Sequence, residues 1–151
     1  MKKKIFIICM LLFLGACGYS SIYSNNNPTN VLISKIIVKG DKKINRQLLT
    51  LLSIKEVSVS KESYVLNVST IKKKRVAAKD KLGNATIFDL SLETTISMSR
   101  GNNINTKKFA SNFSYNNQKN KFELSRQEAI TLENLMENMA PKIILFIYSN
   151  K

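Results

Sequence analysis

The sequence predicts an α+β domain: a small mixed sheet in the order β-α-β-β-β-α, with two helices packed on one face. Three observations predict it. The middle of the chain holds three segments with period-two alternation. Turn residues separate them, at Leu82-Gly83-Asn84 and Gly101-Asn102-Asn103. Apolar stripes at helical spacing lie on either side of this block. Half-buried alternation with turn residues at each reversal argues for an antiparallel meander with one wet face. Packing both helices on the other face is the simplest way to bury all the stripes.

Taken in order, Val31 to Lys39 is β-branched and apolar and predicts a strand that Gly40 ends. Asp41 stands at the N-cap position of a short helix. Ile44, Leu48, Leu51 and Leu52 form its apolar stripe, while Lys42, Lys43, Asn45 and Arg46 mostly fall off it. In the second strand Tyr64, Leu66, Val68 and Thr70 share a face. In the third, Phe88, Leu90, Leu92, Thr94, Ile96 and Met98 do so, with Asp89, Ser91, Glu93, Thr95 and Ser97 on the solvent side. In the fourth, Phe109, Ser111, Phe113 and Tyr115 alternate with small and polar residues. Ser125-Arg126-Gln127-Glu128 has the form of a capping box and predicts the start of the last helix. Its stripe is Ala129, Leu132, Met136, Met139, Ile143 and Phe146. Pro141 removes a hydrogen bond to the carbonyl of Glu137 and predicts a kink. Ile143 to Tyr148 is apolar on every side; it reads as a buried helical end, or as a short final strand after a break. Surplus apolar surface there is either core or a partner contact.

Before this domain stand Lys2-Lys3-Lys4, an apolar run from Ile5 to Leu14, and Gly15-Ala16-Cys17. A charged start, a short apolar run and small residues before a cut site are the parts of a secretory signal peptide. The run is ten residues long. A spanning helix needs about 20, so the run exports the chain rather than holding it in the bilayer. Leu14-Gly15-Ala16-Cys17 resembles the lipobox of bacterial lipoproteins, whose cysteine thiol carries a diacylglycerol. The alternative is an ordinary signal peptide with a chance cysteine. The organisation that follows is a signal at residues 1–16, a lipidated N-terminus and tether at 17–30, and a single domain at 31–151. Ser24 to Asn30, polar and with one Pro, forms the tether.

Composition narrows the chemistry. The chain has 24 Lys and Arg against 10 Asp and Glu, and no His. Cutting before Cys17 removes three of the basic residues and leaves a net charge of +11 on 135 residues. Cys9 leaves with the signal and Cys17 is acylated, so no thiol remains for a disulfide or thiolate metal site. Without histidine, His-based triads and most zinc or iron sites lack their parts. No Gly-rich phosphate loop is present. Asp89 and Glu93 lie four residues apart on a strand, about 13 Å along it, too far to cooperate as an acid-base pair. These observations predict a protein that is not an enzyme, with no cofactor and no metal.

An exported basic protein meets little nucleic acid, so its expected anionic partners are lipid head groups and lipopolysaccharide phosphates. The cations concentrate between Lys72 and Lys121, with Lys72-Lys73-Lys74-Arg75 leading into a hairpin tip that carries Lys79 and Lys81. Such a cluster is either an anion-attracting patch or a solubilising edge that blocks self-pairing.

Cys17-Gly18-Tyr19 with a second aromatic at Tyr23, the turn-strand from Leu82 to Leu90, and Phe113-Ser114-Tyr115-Asn116-Asn117 running into the last helix resemble the lipopolysaccharide-assembly lipoprotein family LptE. The likeness covers essentially the whole mature chain. It implies a lipoprotein held by acyl chains at the periplasmic side of the outer membrane. Family members plug the β-barrel LptD and bind lipopolysaccharide. The resemblance also implies outer-membrane sorting, since Gly18 is not the Asp that commonly retains lipoproteins at the inner membrane. Of the family's two basic positions, Lys81 matches the first; the second aligns with Leu124, between Lys121 and Arg126. The lipopolysaccharide-binding candidates are therefore Lys81, Lys72, Lys73, Lys74, Arg75, Lys79, Lys121 and Arg126. A competing reading is a structural or envelope-tethering lipoprotein without a specific ligand.

Overall fold

Tyr64, Leu66, Val68 and Thr70 are all buried on one face of a strand, and beyond Thr70 that strand continues as an exposed basic ribbon. A computed structural model describes residues 31–151 except 59 and 61. The signal peptide, Cys17 and the tether lie outside the described residues. The elements are β1 (Ile33–Gly40), α1 (Lys42–Leu51), β2 (Tyr64–Lys79), β3 (Ala85–Arg100), β4 (Asn103–Asn116) and α2 (Lys121–Ser149). The sheet order is β1-β2-β3-β4. β1 pairs parallel with β2, and the other neighbours are antiparallel. The mixed β-α-β-β-β-α sheet is thus the one expected.

One apolar cluster binds the helices to one sheet face. Leu66, Leu90, Leu92, Ile96 and Met98 supply its floor, and Leu48, Leu52, Leu135, Met139 and Ile143 its roof. Burying a side chain of this size stabilises by about 1.5–3 kcal/mol. Asp41 caps α1, its carboxylate accepting from the N–H groups of Lys43 and Ile44 at 3.0 and 3.1 Å. Gly40 makes the turn before it, at φ +80°. A Cβ there would stand 2.2 Å from the carbonyl oxygen of Thr70, so β1 must end on a glycine.

Several expectations need correction. Leu51 is 42% exposed, while Asn45 is fully buried. The Asn45 side-chain amide donates to the Lys39 carbonyl at 2.7 Å, tying the helix to the strand it follows. Phe113 leaves its apolar row and is 54% exposed, whereas Phe109 packs edge-on against Phe146 of the last helix and Tyr115 reaches Glu128 there. The last helix starts four residues before Ser125. Asn120 is its N-cap and accepts from the Phe122 N–H at 2.8 Å. Glu128 is consequently free for other partners.

The stripe of α2 is also rotated. Thr131, Leu135, Met139 and Ile143 face the sheet, whereas Ala129 is exposed and Leu132 half-buried beside α1. The helix runs through Pro141 to Ser149, which excludes the final strand. Pro141 and Glu137 both lie on the exposed side, where a freed carbonyl is open to solvent. Ile143, Phe146 and Ile147 join the core, and Leu145 points away from it. Among the described residues, no helix is long and apolar enough to cross a membrane.

Candidate functional site

The far half of β2 carries the basic run, and strand alternation sorts it onto two faces. Lys72 and Lys74 follow Thr70 onto the helix face. Both reach Glu128 of α2, at 3.0 Å to Oε1 and 2.8 Å to Oε2. The Lys74 ammonium also lies 4.4 Å from the centre of the Phe88 ring. The Tyr115 hydroxyl donates to Glu128 at 3.4 Å. Burial works to raise the Glu128 carboxyl, but the hydrogen bonds from Lys74 and Lys72 outweigh it and hold the group below its ordinary value. Burial likewise works to lower the Lys74 ammonium, and the bonds to Glu128 and Tyr115 leave it raised. The Tyr115 phenol is pushed up, by burial first.

Lys73 and Arg75 point to the open face. Lys73 stands 3.5 Å from Glu93, which also takes Lys108 at 2.7 Å. Arg75 makes a 2.8 Å pair with Asp89, and the Ser114 hydroxyl donates to the same carboxylate. Asp89 is lowered, mainly by the Ser114 hydroxyl and then by Arg75, and Glu93 is lowered mainly by Lys108. Asp89 and Glu93 are thus each partnered by cations. All four residues from Lys72 to Arg75 are matched with carboxylates.

The tip differs. Asp80 turns its carboxylate inward, accepting from the N–H groups of Leu82 and Asn84 at 2.9 Å and from the Asn84 side chain at 3.0 Å. Those Asn84 bonds lower its pKa. Gly83, at φ +85°, closes the turn. Lys79 and Lys81 flank this acid, and among the described residues neither pairs with a carboxylate.

Between α1 and α2 runs an open groove of about 1140 Å³. Lys43 and Arg46 line one wall, Lys121, Arg126 and Ile130 the other, and Lys72 and Lys74 the floor. Arg126 is 3.9 Å from Glu123, and Lys121 has no carboxylate partner among the described residues. Leu124 packs against the core, which is why an apolar residue occupies this position. So Lys72, Lys74, Lys121 and Arg126 share one groove; Lys73 and Arg75 lie on the opposite face; Lys79 and Lys81 form the tip. The roles of Glu128 and Asp80 were not read from the sequence. For Asp80, its spacing to Gly83 and Asn84 was a usable turn signal; for Glu128, the capping-box reading concealed it. Among the described residues no three His, Cys, Asp or Glu side chains gather as a metal site.

The chain is an α+β fold with a basic hairpin at one end of its sheet. Solved structures of several bacterial lipoproteins share this fold. Rare lipoprotein B of Shewanella oneidensis aligns with a TM-score of 0.61 at 16% identity, over 77% of this chain and 95% of that one. A minor lipoprotein of Acinetobacter baumannii aligns at 0.53 and 24% identity, over 78% and 94%. An uncharacterized lipoprotein B of Nitrosomonas europaea aligns at 0.50 and 12% identity, over 76% and 81%. No family model and no curated protein matches the chain.

Proposed function

We propose that the protein is an outer-membrane lipoprotein of the LptE kind: not an enzyme, but a binding and assembly module. Acyl chains on Cys17 hold it at the periplasmic side of the outer membrane, two or more being needed for stable anchoring. Its protein partner is an LptD-type β-barrel, and its ligand is lipopolysaccharide. The observation that carries the ligand is the hairpin tip. Asp80 is used by the turn, while Lys79 and Lys81, at the end of two 16-residue strands, have no carboxylate partner among the described residues. Lysine meets phosphate as a point charge. Lys72 to Arg75, already paired, contribute field rather than direct contacts. Lys121 and Arg126 at the groove mouth offer a second cationic position.

Binding of purified lipopolysaccharide to the Lys81→Glu variant tests the ligand, with Lys39→Glu as control. A weaker Lys81→Glu is expected; equal effects would reduce the interaction to diffuse electrostatics. Recovery of a large outer-membrane barrel in gentle detergent tests the partner. The Cys17→Ser variant is expected to lose acyl labelling and accumulate uncut precursor. The envelope-tethering reading is favoured by the neutralised Lys72–Arg75 run, and absence of both lipopolysaccharide and barrel binding would select it.

A further inference from the structure

β1 covers only half of β2. Their register ends at Gly40 opposite Thr70, whereas β2 continues to Lys79. The Tyr64 N–H donates to Leu32 and the Thr70 carbonyl accepts from Asp41, so even-numbered residues of β2 aim their backbone groups towards the β1 side. Past Thr70 this leaves the N–H and C=O groups of Lys72, Lys74 and Val76 on an open edge, before the bulge at Val76 and Ala78. Among the described residues nothing pairs with them. The exposed edge of β1 is treated differently. The Val57 N–H donates to Ile33 there at 2.8 Å, and the Glu56 carboxylate accepts from the Ile36 N–H at 2.7 Å. The chain thus closes one edge with its own loop and a carboxylate, and leaves the edge in line with it open.

We infer that this edge binds an extended, acidic segment of another protein, which adds a strand beside Lys72–Val76. Main-chain bonds supply affinity in such pairing, and alternate side chains supply specificity. Charge selects the occupant. Glu128, Glu93 and Asp89 pair with Lys72 to Arg75, but Lys79 of β2 and Lys42, Lys43 and Arg46 of α1 beside it have no carboxylate partner among the described residues, so the edge keeps an excess of positive charge. A second copy of this chain would bring two edges with the same excess of positive charge together, which like charges oppose. Residues 17–30 of this chain contain no acid. Side chains on the helix face of the added strand enter the groove between α1 and α2; Asp41, Glu128, Glu133 and Glu137 also line it, but its six cations outnumber these four acids, and Lys43, Arg46 and Lys121 are the ones placed to receive carboxylates. The inference stands whether or not the tip binds lipopolysaccharide.

The test is backbone amide hydrogen exchange, residue by residue, on the full chain in detergent. The probe is an octapeptide alternating Glu and Val. The expected result is slowed exchange at Lys72, Lys74 and Val76, and loss of peptide binding in Val76→Pro, which removes one edge N–H without touching the β3 ladder. A peptide with Pro at alternate positions and the same charge is expected to bind at least tenfold more weakly. Equal binding of the two peptides would overturn edge pairing and leave only a charged surface. Protection along β4 instead would place the partner on the other edge and overturn the proposal. Concentration-dependent protection without peptide would make the occupant a second copy, and concentration-independent protection would make it residues 17–30; either overturns the proposal. Should Val76→Pro fail to fold, the paired peptides on the unmodified chain still decide it.

Discussion

The two ends of the sheet are built on the same strands by different physics. At the end holding Tyr64 and Met98, the helix face of β2 is apolar, β1 pairs with it, and α1 covers both. At the end holding Lys79 and Ala85, β1 has stopped and the same face of β2 carries Lys72 and Lys74 under Glu128. The change falls at Thr70, whose buried hydroxyl lies 3.2 Å from that of Thr94 across the strands. One end is held by burial, which is hard to perturb except by removing volume. The other is held by part-exposed ion pairs, which are weak and adjustable. A fixed end thus carries a basic end held by weaker contacts.

The comparison breaks most visibly at the apolar end. Leu66→Ala is expected to cost about 3–4 kcal/mol in chemical denaturation, since Leu66 is 0% exposed and truncation leaves a cavity in the core. Next comes the junction. Gly40→Ala should cost at least about 2 kcal/mol, because the added methyl meets the Thr70 carbonyl at 2.2 Å. Gly83→Ala, with a similar φ but open space, should cost only about 1 kcal/mol, and a melting comparison of the two separates clash from strain.

At the basic end, Glu128→Gln should cost about 1 kcal/mol after solvent screening is allowed for. Its pH dependence has a definite sign. The folded-state pKa of Glu128 lies below its ordinary value, so the stabilisation is complete above the ordinary carboxylate range and is lost as pH falls through the folded value. Acid titration of stability should therefore be flatter in Glu128→Gln below about pH 4.5. The smallest effect is expected on the open face. Arg75→Ala, with a side chain 80% exposed, should stay within about 0.5 kcal/mol. A loss as large as that of Glu128→Gln would mean that the two faces are not energetically distinct.

Much of this was legible in residue order. Period-two alternation placed Tyr64 to Thr70 and Phe88 to Met98 correctly, because side-chain direction in a strand depends only on parity. Asp41 as a cap followed from local hydrogen bonding alone. The run from Lys72 to Arg75 was visible as charge, but not its neutralisation, because Glu128, Glu93 and Asp89 reach it only through the sheet register and the docking of α2. The start of α2 was missed because Asn120 and Ser125 both suit an N-cap, and the choice depends on how the chain leaves β4.

The sequence by itself determined the alternation, the turns, the cap at Asp41 and the excess of positive charge, since each depends on residues a few positions apart. Only the tertiary structure decided which cations are spoken for, where β1 stops against β2, and that the groove floor is Lys72 and Lys74. Those outcomes depend on groups up to 56 residues apart meeting in space, and no local pattern encodes such a meeting.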